Sequence, residues 1–336
     1  MTAYSEIKNK KTILTKLERL ILTSKPISFI REKSKKIILP GFKGLPLYDV
    51  FIFFMRQVKR EGLNVRAAAI SYNIFMAIPA ATLFLFTLLP YLPVSKNIHT
   101  ELLHLIDDIS PNQDAKENIK TFLDDFFNHP KSGLLSVGFL LALFYSSNAM
   151  MGIIRTFDRS LLMRAKTNFL TKRIRAIKLT LILLLLIVAT ALISIGQNLM
   201  SNTILEWMNI TNESVKSLIL SLRVVVVIFI FLFSIALIYK FAPSVHKRWQ
   251  LFSPGATLAT ILMMLSTWIF SYWAQNFSTY NKFYGSLGTL LLIMLLIFIN
   301  SLVLLIGYEL NVSISQLNEN SKVKLAIKED RQALLD

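Results

Sequence analysis

Covalent or metal chemistry needs clustered donors, and this chain offers few. It has no cysteine and four histidines, His99, His104, His129 and His246. Without cysteine there is no disulfide, no thiolate nucleophile and no Cys-ligated metal. His99 and His104 are five apart, which does not place them on one face of a regular helix. Asp107 with Asp108, and Asp124 with Asp125, are adjacent carboxylates, but they sit beside lysines on amphipathic segments, where a solvated face accounts for them. No Gly-x-Ser-x-Gly elbow, Gly-Lys-Ser/Thr phosphate loop or His-Glu-x-x-His stands in the sequence. The expectation is no catalytic residue, no metal and no cofactor, hence not an enzyme.

The residues that stand out are polar groups inside long apolar stretches. An uncompensated polar or charged group in hydrocarbon costs several kcal/mol, so such groups face a bundle interior or a wet cavity. Asn73 follows Ser71 and Tyr72. Asn148 follows Tyr145, Ser146 and Ser147, with Arg155 and Asp158 further on. Ser266, Thr267, Ser271 and Tyr272 occupy another stretch, and Asn300, Ser301, Glu309 and Asn311 the last. Asn73, Asn148, Arg155, Tyr284, Asn300 and Glu309 are the candidates for lining a substrate cavity. Arg155 and Glu309 can pair with each other or snorkel to headgroups. Pro79 and Pro243 are structural candidates because proline removes a backbone donor. Gly285 and Gly288 are structural too, since small residues let membrane helices approach closely.

The elements that must position these groups follow from composition. Of 336 residues, 54% are hydrophobic and 17% charged, and the mean hydropathy is +0.53. A soluble domain carries roughly 25% charged residues, so a cytosolic globular enzyme is excluded, as is a disordered chain. A helix needs ~20 apolar residues to cross the hydrocarbon core. Six stretches qualify, at about 67–92, 132–154, 179–202, 217–240, 253–276 and 284–308. The predicted fold is all-α, a polytopic membrane protein with six transmembrane helices over residues 47–315. Asn276 and Ser278 to Asn281 form a polar break between the final two spans.

The net charge of +17 would suggest nucleic acid in a soluble protein. Its distribution argues otherwise. Lys and Arg number fifteen before the first span, four in 96–131, eight in 155–178, one in 206–216, three in 240–248, one at Lys282 and four after 308. High and low counts alternate, as the positive-inside rule requires of a single orientation. Both termini are therefore expected in the cytoplasm.

Residues 1–46 form a basic tail, too long and too little apolar to be a signal peptide. Leu47, Val50, Phe51, Phe54 and Val58 then share one helical face, with Arg56, Lys59 and Arg60 elsewhere. That pattern suits an interfacial amphipathic helix, and a helix packed on cytoplasmic loops is the alternative. Anionic headgroups attract such a basic tail, so membrane lipids, not nucleic acid, are the expected partners. Segment 97–131 is the extracytoplasmic insert, expected as two short amphipathic helices split at Ser110-Pro111. Residues 316–336 are expected as a cytoplasmic tail, and a homo-oligomer or envelope partner is left open.

Four motifs in order carry a resemblance to a known family. They are Arg66-Ala-Ala-Ala-Ile-Ser-Tyr-Asn73 running to Pro79, Tyr239-Lys-Phe-Ala-Pro243, Ser278-Thr-Tyr-Asn281 with Tyr284-Gly-Ser-Leu-Gly288, and Leu305-Ile-Gly-Tyr-Glu-Leu-Asn311. Over roughly 47–315 the chain resembles the YihY/virulence factor BrkB family of bacterial inner-membrane proteins. Departures fall at Asn73, where the family often has an aromatic, at Ala77, and at Thr156-Phe-Asp158. The resemblance implies an inner-membrane location. Some members carry a ribonuclease BN label, which the sparse histidines do not support, because a metal nuclease needs clustered ligands.

The leading functional expectation is a transporter or flippase-like protein for an amphipathic, anionic, lipid-like substrate. It rests on the intramembrane polar groups, Pro79 and the basic segment 155–178. The runner-up is a non-transporting scaffold or envelope-assembly factor, in which those polar groups glue helices together. A membrane enzyme using Glu309 as its base comes third.

Overall fold

The computed structural model describes residues 32–60, 62–91, 100, 113–128, 132–161, 167–199, 213–245, 249–275 and 278–333. Among them there is no strand. The helices are α1 (Leu47–Arg60), α2 (Leu63–Leu88) continued by a 3-10 turn at Leu89–Tyr91, α3 (Gln113–Asn128), α4 (Ser132–Ser160), α5 (Phe169–Leu199), α6 (Glu213–Phe241), α7 (Pro254–Gln275) and α8 (Ser278–Ala333). In lipid a helix is the element that satisfies its own backbone, and apolar runs of this length produce it.

Five described stretches are long and apolar enough to cross a membrane: Leu63–Tyr91, Gly133–Ser160, Val224–Phe241, Pro254–Trp273 and Leu290–Val323. The third expected span, 179–202, falls within and just beyond α5. The described side chains of α5 run from a basic start, Lys172 to Lys178, only as far as Thr190 and Ile193. That apolar stretch is too short to count among the five. The 97–111 half of the expected extracytoplasmic insert lies outside the described residues, residue 100 excepted, while α3 occupies the other half and packs on the 3-10 turn.

The chain divides into two units. The larger comprises Asn64–Leu251 and Thr260–Leu305. In it α2 and α4 run antiparallel, with Phe84 beside Gly138, Asn73 beside Gly152, and Arg66 bonded to Thr156 and Ser160. A Cβ on Gly138 would lie 3.4 Å from the Phe84 Cα, in ordinary van der Waals contact, so the two helices pass close to each other here. The rings of Phe84 and Phe139 meet at 5.4 Å. Further packing joins α4 to α5 and α5 to α6. Pro79 lies within an unbroken α2.

The smaller unit holds α1, the start of α7 and α8 from Ile306 onward. Its core is Phe42, Val50, Phe54, Leu310 and Ile314, with Leu47, Val58, Leu258 and Leu317 half-buried around it. The expected lipid-facing stripe of α1 is thus divided. Val50 and Phe54 turn toward α8, whereas Phe51 is 52% exposed. The reason is that α8 does not end near 308. It continues helical to Ala333 and offers Leu310, Ile314 and Leu317 to α1. Its 56 residues extend ~84 Å at 1.5 Å per residue, far beyond the ~30 Å hydrocarbon core.

Close contacts also set the start of α7. Ser253 is its N-cap, its hydroxyl accepting the Ala256 N–H at 3.3 Å, and Pro254 occupies the first turn, where a missing N–H costs nothing. From α8, the Asn311 carbonyl oxygen accepts the Gly255 N–H at 2.9 Å, and its amide donates to the Ser253 hydroxyl at 2.7 Å. A Cβ on Gly255 would stand 2.1 Å from the Gly307 carbonyl oxygen. Only glycine fits.

Candidate functional site

The densest polar assembly in the larger unit gathers at the ends of α4 and α6 and the start of α5. Asp158, in the last turn of α4, is 2% exposed. A carboxylate so buried must be paired and hydrogen-bonded. One oxygen accepts the Ser244 N–H at 2.8 Å; the other accepts the Ser244 hydroxyl at 3.1 Å and the Lys172 ammonium. The Ser244 oxygen in turn accepts from Thr167 at 3.0 Å and from Arg175 at 3.1 Å. One donated and two accepted bonds use its full capacity.

Two arginines stand at helix ends. The last carbonyls of any α-helix lack intrahelical partners, and the dipole favours cations there. Arg175 of α5 donates to the carbonyls of Ala242 and Pro243, just past α6, at 3.3 Å each. Arg66 of α2, itself buried, reaches the same end of α4, donating to the Ser160 hydroxyl and, at 2.7 Å, to the Thr156 carbonyl, which lies one turn earlier and is already within the helix's own ladder. Tyr239 completes this layer. Its ring meets Phe157 at 5.8 Å and its hydroxyl donates to the Leu304 carbonyl at 2.6 Å. The Tyr239 to Pro243 motif is therefore a structural junction, and Pro243 sits at its buried centre.

The six cavity candidates take different positions. Asn73 donates to the Ala69 carbonyl of its own helix at 2.7 Å, and its amide nitrogen would lie 3.1 Å from a Cβ on Gly152. Asn148 accepts from Arg173, whose guanidinium lies over the Phe144 ring at 5.2 Å. Arg155 is exposed, over the Phe169 ring at 5.9 Å. Asn300 accepts the Ser266 hydroxyl at 3.1 Å, joining α8 to α7. Glu309 is fully buried in the smaller unit. Tyr284 and Gly285 lie near the start of α8, with the Tyr284 side chain outside what is described; Gly288 is buried.

A separate feature of the larger unit is an open groove of ≈ 530 Å³ between α5, α6 and α7. Leu186, Ile187, Val227, Ile228 and Phe231 give it an apolar wall, and Thr190 and Ser234 are its hydroxyls. Both hydroxyls donate to their own helices, to Leu186 and Ile230, so the groove presents little unmet polarity. On α5 it lies roughly 11–15 residues beyond Arg175, ~16–22 Å along the helix. Arg155, Arg159 and Lys178 are exposed around the basic end. Among the described residues no three of His, Asp or Glu approach closely enough to hold a metal ion.

Counting Lys172, Arg173 and Arg175 as loop charge hid their part in this assembly. A signal was available in Asp158, the lone acid among eight cations in 155–178. The Ser253-Pro254-Gly255 sequence likewise reads as a helix start.

The family model for "Virulence factor BrkB" matches residues 54–333. Among curated relatives, the "Putative ribonuclease-like protein YfkH" of Bacillus subtilis is 24% identical over 258 residues, covering 77% of this chain and 92% of that protein. A UPF0761 membrane protein of Tolumonas auensis is 25% identical over 81% of this chain and 87% of its own. One from Haemophilus influenzae is 25% identical over 82% and 98%. No solved structure matches.

Proposed function

From the premise that the chain belongs to the virulence factor BrkB family of membrane proteins, we propose that it is a bacterial inner-membrane protein that binds and moves an amphipathic, lipid-like molecule. On this reading α5 is a sixth span, both termini are cytoplasmic, and the assembly around Asp158 closes the cytoplasmic end of the bundle.

The observation that carries the proposal is the ≈ 530 Å³ groove on α5, α6 and α7. Its apolar wall suits an acyl chain, and the exposed cations at the basic end suit an anionic headgroup. Lateral opening lets a lipid enter without leaving the bilayer. The polar contacts described at Asp158, Asn148 and Asn300 supply helix positioning, and none of them supplies a nucleophile or activated water. On this reading the protein acts without covalent chemistry, and the ribonuclease-like name remains a property of the relative that bears it.

Translocation of fluorescent phosphatidylglycerol across proteoliposomes tests this. Ser234→Phe with Thr190→Phe fills the groove and is expected to abolish movement while the melting temperature holds. Equal movement by the filled variant and the parent would remove the groove from the mechanism. No movement by the folded parent would favour the second reading, a scaffold. The Asn300 and Ser266 pair favours that reading, because it joins two membrane helices as polar glue does.

A further inference from the structure

The smaller unit carries an apolar surface that its own packing leaves uncovered. Ile37, Ile38 and Leu39 are consecutive and exposed, Ile38 by 58%. The Leu47 N–H donates to the Ile37 carbonyl at 2.9 Å, which holds this triplet at the foot of α1. Leu47, Phe51, Met55 and Lys59 follow one another at four-residue spacing and so form one stripe. Phe51 and Met55 on that stripe are exposed, whereas Val50 and Phe54 on the neighbouring stripe are buried against α8.

The charge around this surface is predominantly positive. Residues 32–60 hold seven Lys and Arg against Glu32 and Asp49, and Lys33, Lys35, Lys36, Lys43, Arg56 and Lys59 are exposed. The unit also contains the start of the Pro254–Trp273 candidate span and the later part of the Leu290–Val323 one. Where these stretches cross the bilayer, an apolar patch with cations around it in the same unit has a matching surface close by.

We infer that Ile37, Ile38, Leu39, Phe51 and Met55 form a membrane-docking surface that inserts into the anionic leaflet from which the spans emerge, with the surrounding lysines on its headgroups. This differs from the stripe the sequence pattern suggested, because Val50 and Phe54 are spent on the protein core. It is independent of the groove on α5 and of any transport.

Because the chain has no cysteine, Ile38→Cys, Phe51→Cys and Asp49→Cys each create a single spin-labelling site. Asp49, two residues from Phe51, projects from the opposite side of α1. The full chain is placed in phosphatidylethanolamine–phosphatidylglycerol vesicles, and collision rates with oxygen and with a nickel chelate are compared. Oxygen is expected to dominate at 38 and 51, and nickel at 49. Nickel dominance at 38 and 51 would overturn the proposal by placing them in water. Exclusion of both reagents there would overturn it too, pointing to a second copy or another protein. In phosphatidylcholine vesicles the ratio at 38 is expected to shift toward nickel, and an unchanged ratio would overturn the role of the cations.

Discussion

Lys172 keeps 20% of its side chain exposed, whereas its partner Asp158 keeps 3%. The two ends of this ion pair are therefore unequal in what their loss would cost. Removing the lysine strands a buried carboxylate, and breaking a buried pair from one side costs about 3–5 kcal/mol. Lys172→Met is expected near the low end, about 3 kcal/mol, because Ser244 still donates twice to the carboxylate. Adding Asp158→Asn should recover more than half of that loss, since a neutral amide can still accept the Ser244 N–H. Thermal melting in detergent, read as a double-mutant cycle, checks both values. The pair was not legible as a pair in the sequence. A charge-free run marks where hydrocarbon begins, not where a helix begins, and α5 starts at Phe169, ahead of its basic residues. Asn73, Asn148 and Asn300 were legible as polar residues at depth. Their partners were not, because Arg173 lies 25 residues from Asn148 and Ser266 lies 34 from Asn300.

The described glycines differ sharply in what they tolerate. Gly255→Ala would drive a methyl group to 2.1 Å from the Gly307 carbonyl oxygen and 2.7 Å from Asn311. Backbone cannot yield as a side chain does, so the start of α7 must part from α8 and lose the Asn311 bonds. A loss of several kcal/mol is expected, of the order seen for overpacking combined with a lost cap. Gly133→Ala meets nothing within 4 Å and should be neutral or stabilising by up to about 1 kcal/mol. Melting temperatures of the two variants in one detergent separate these outcomes. The apolar stretches themselves were legible because hydrocarbon imposes a length and forbids charge. The continuation of α8 to Ala333 was not, because beyond the apolar run its helicity depends on neighbours such as Val50 and Phe54. Burial of these two against Leu310 and Ile314 also explains why a stripe of five apolar residues on α1 could not be assigned to lipid or protein from its spacing.

At the scale of the molecule, the number of crossings decides which side each terminus occupies. Six crossings place residues 33 and 322 on the same face, and five place them on opposite faces. With no native cysteine to interfere, Lys33→Cys and Lys322→Cys can be labelled in intact cells and in inverted vesicles by a maleimide that does not cross membranes. Both are expected to react only in inverted vesicles, and opposite accessibility would exclude the six-span topology. Charge alternation is what predicts this orientation, and the prediction depends on counts and not on contacts. The arginine caps add something about time. Arg66 is translated about ninety residues before Thr156, to whose carbonyl it donates, and Arg175 about seventy before Ala242 and Pro243. A chain emerging from the ribosome N-terminus first thus has the cation in place before the helix end that needs it. The end of α6 finds its donor already waiting, so the carbonyls of Ala242 and Pro243 need not stay orphaned until later helices arrive.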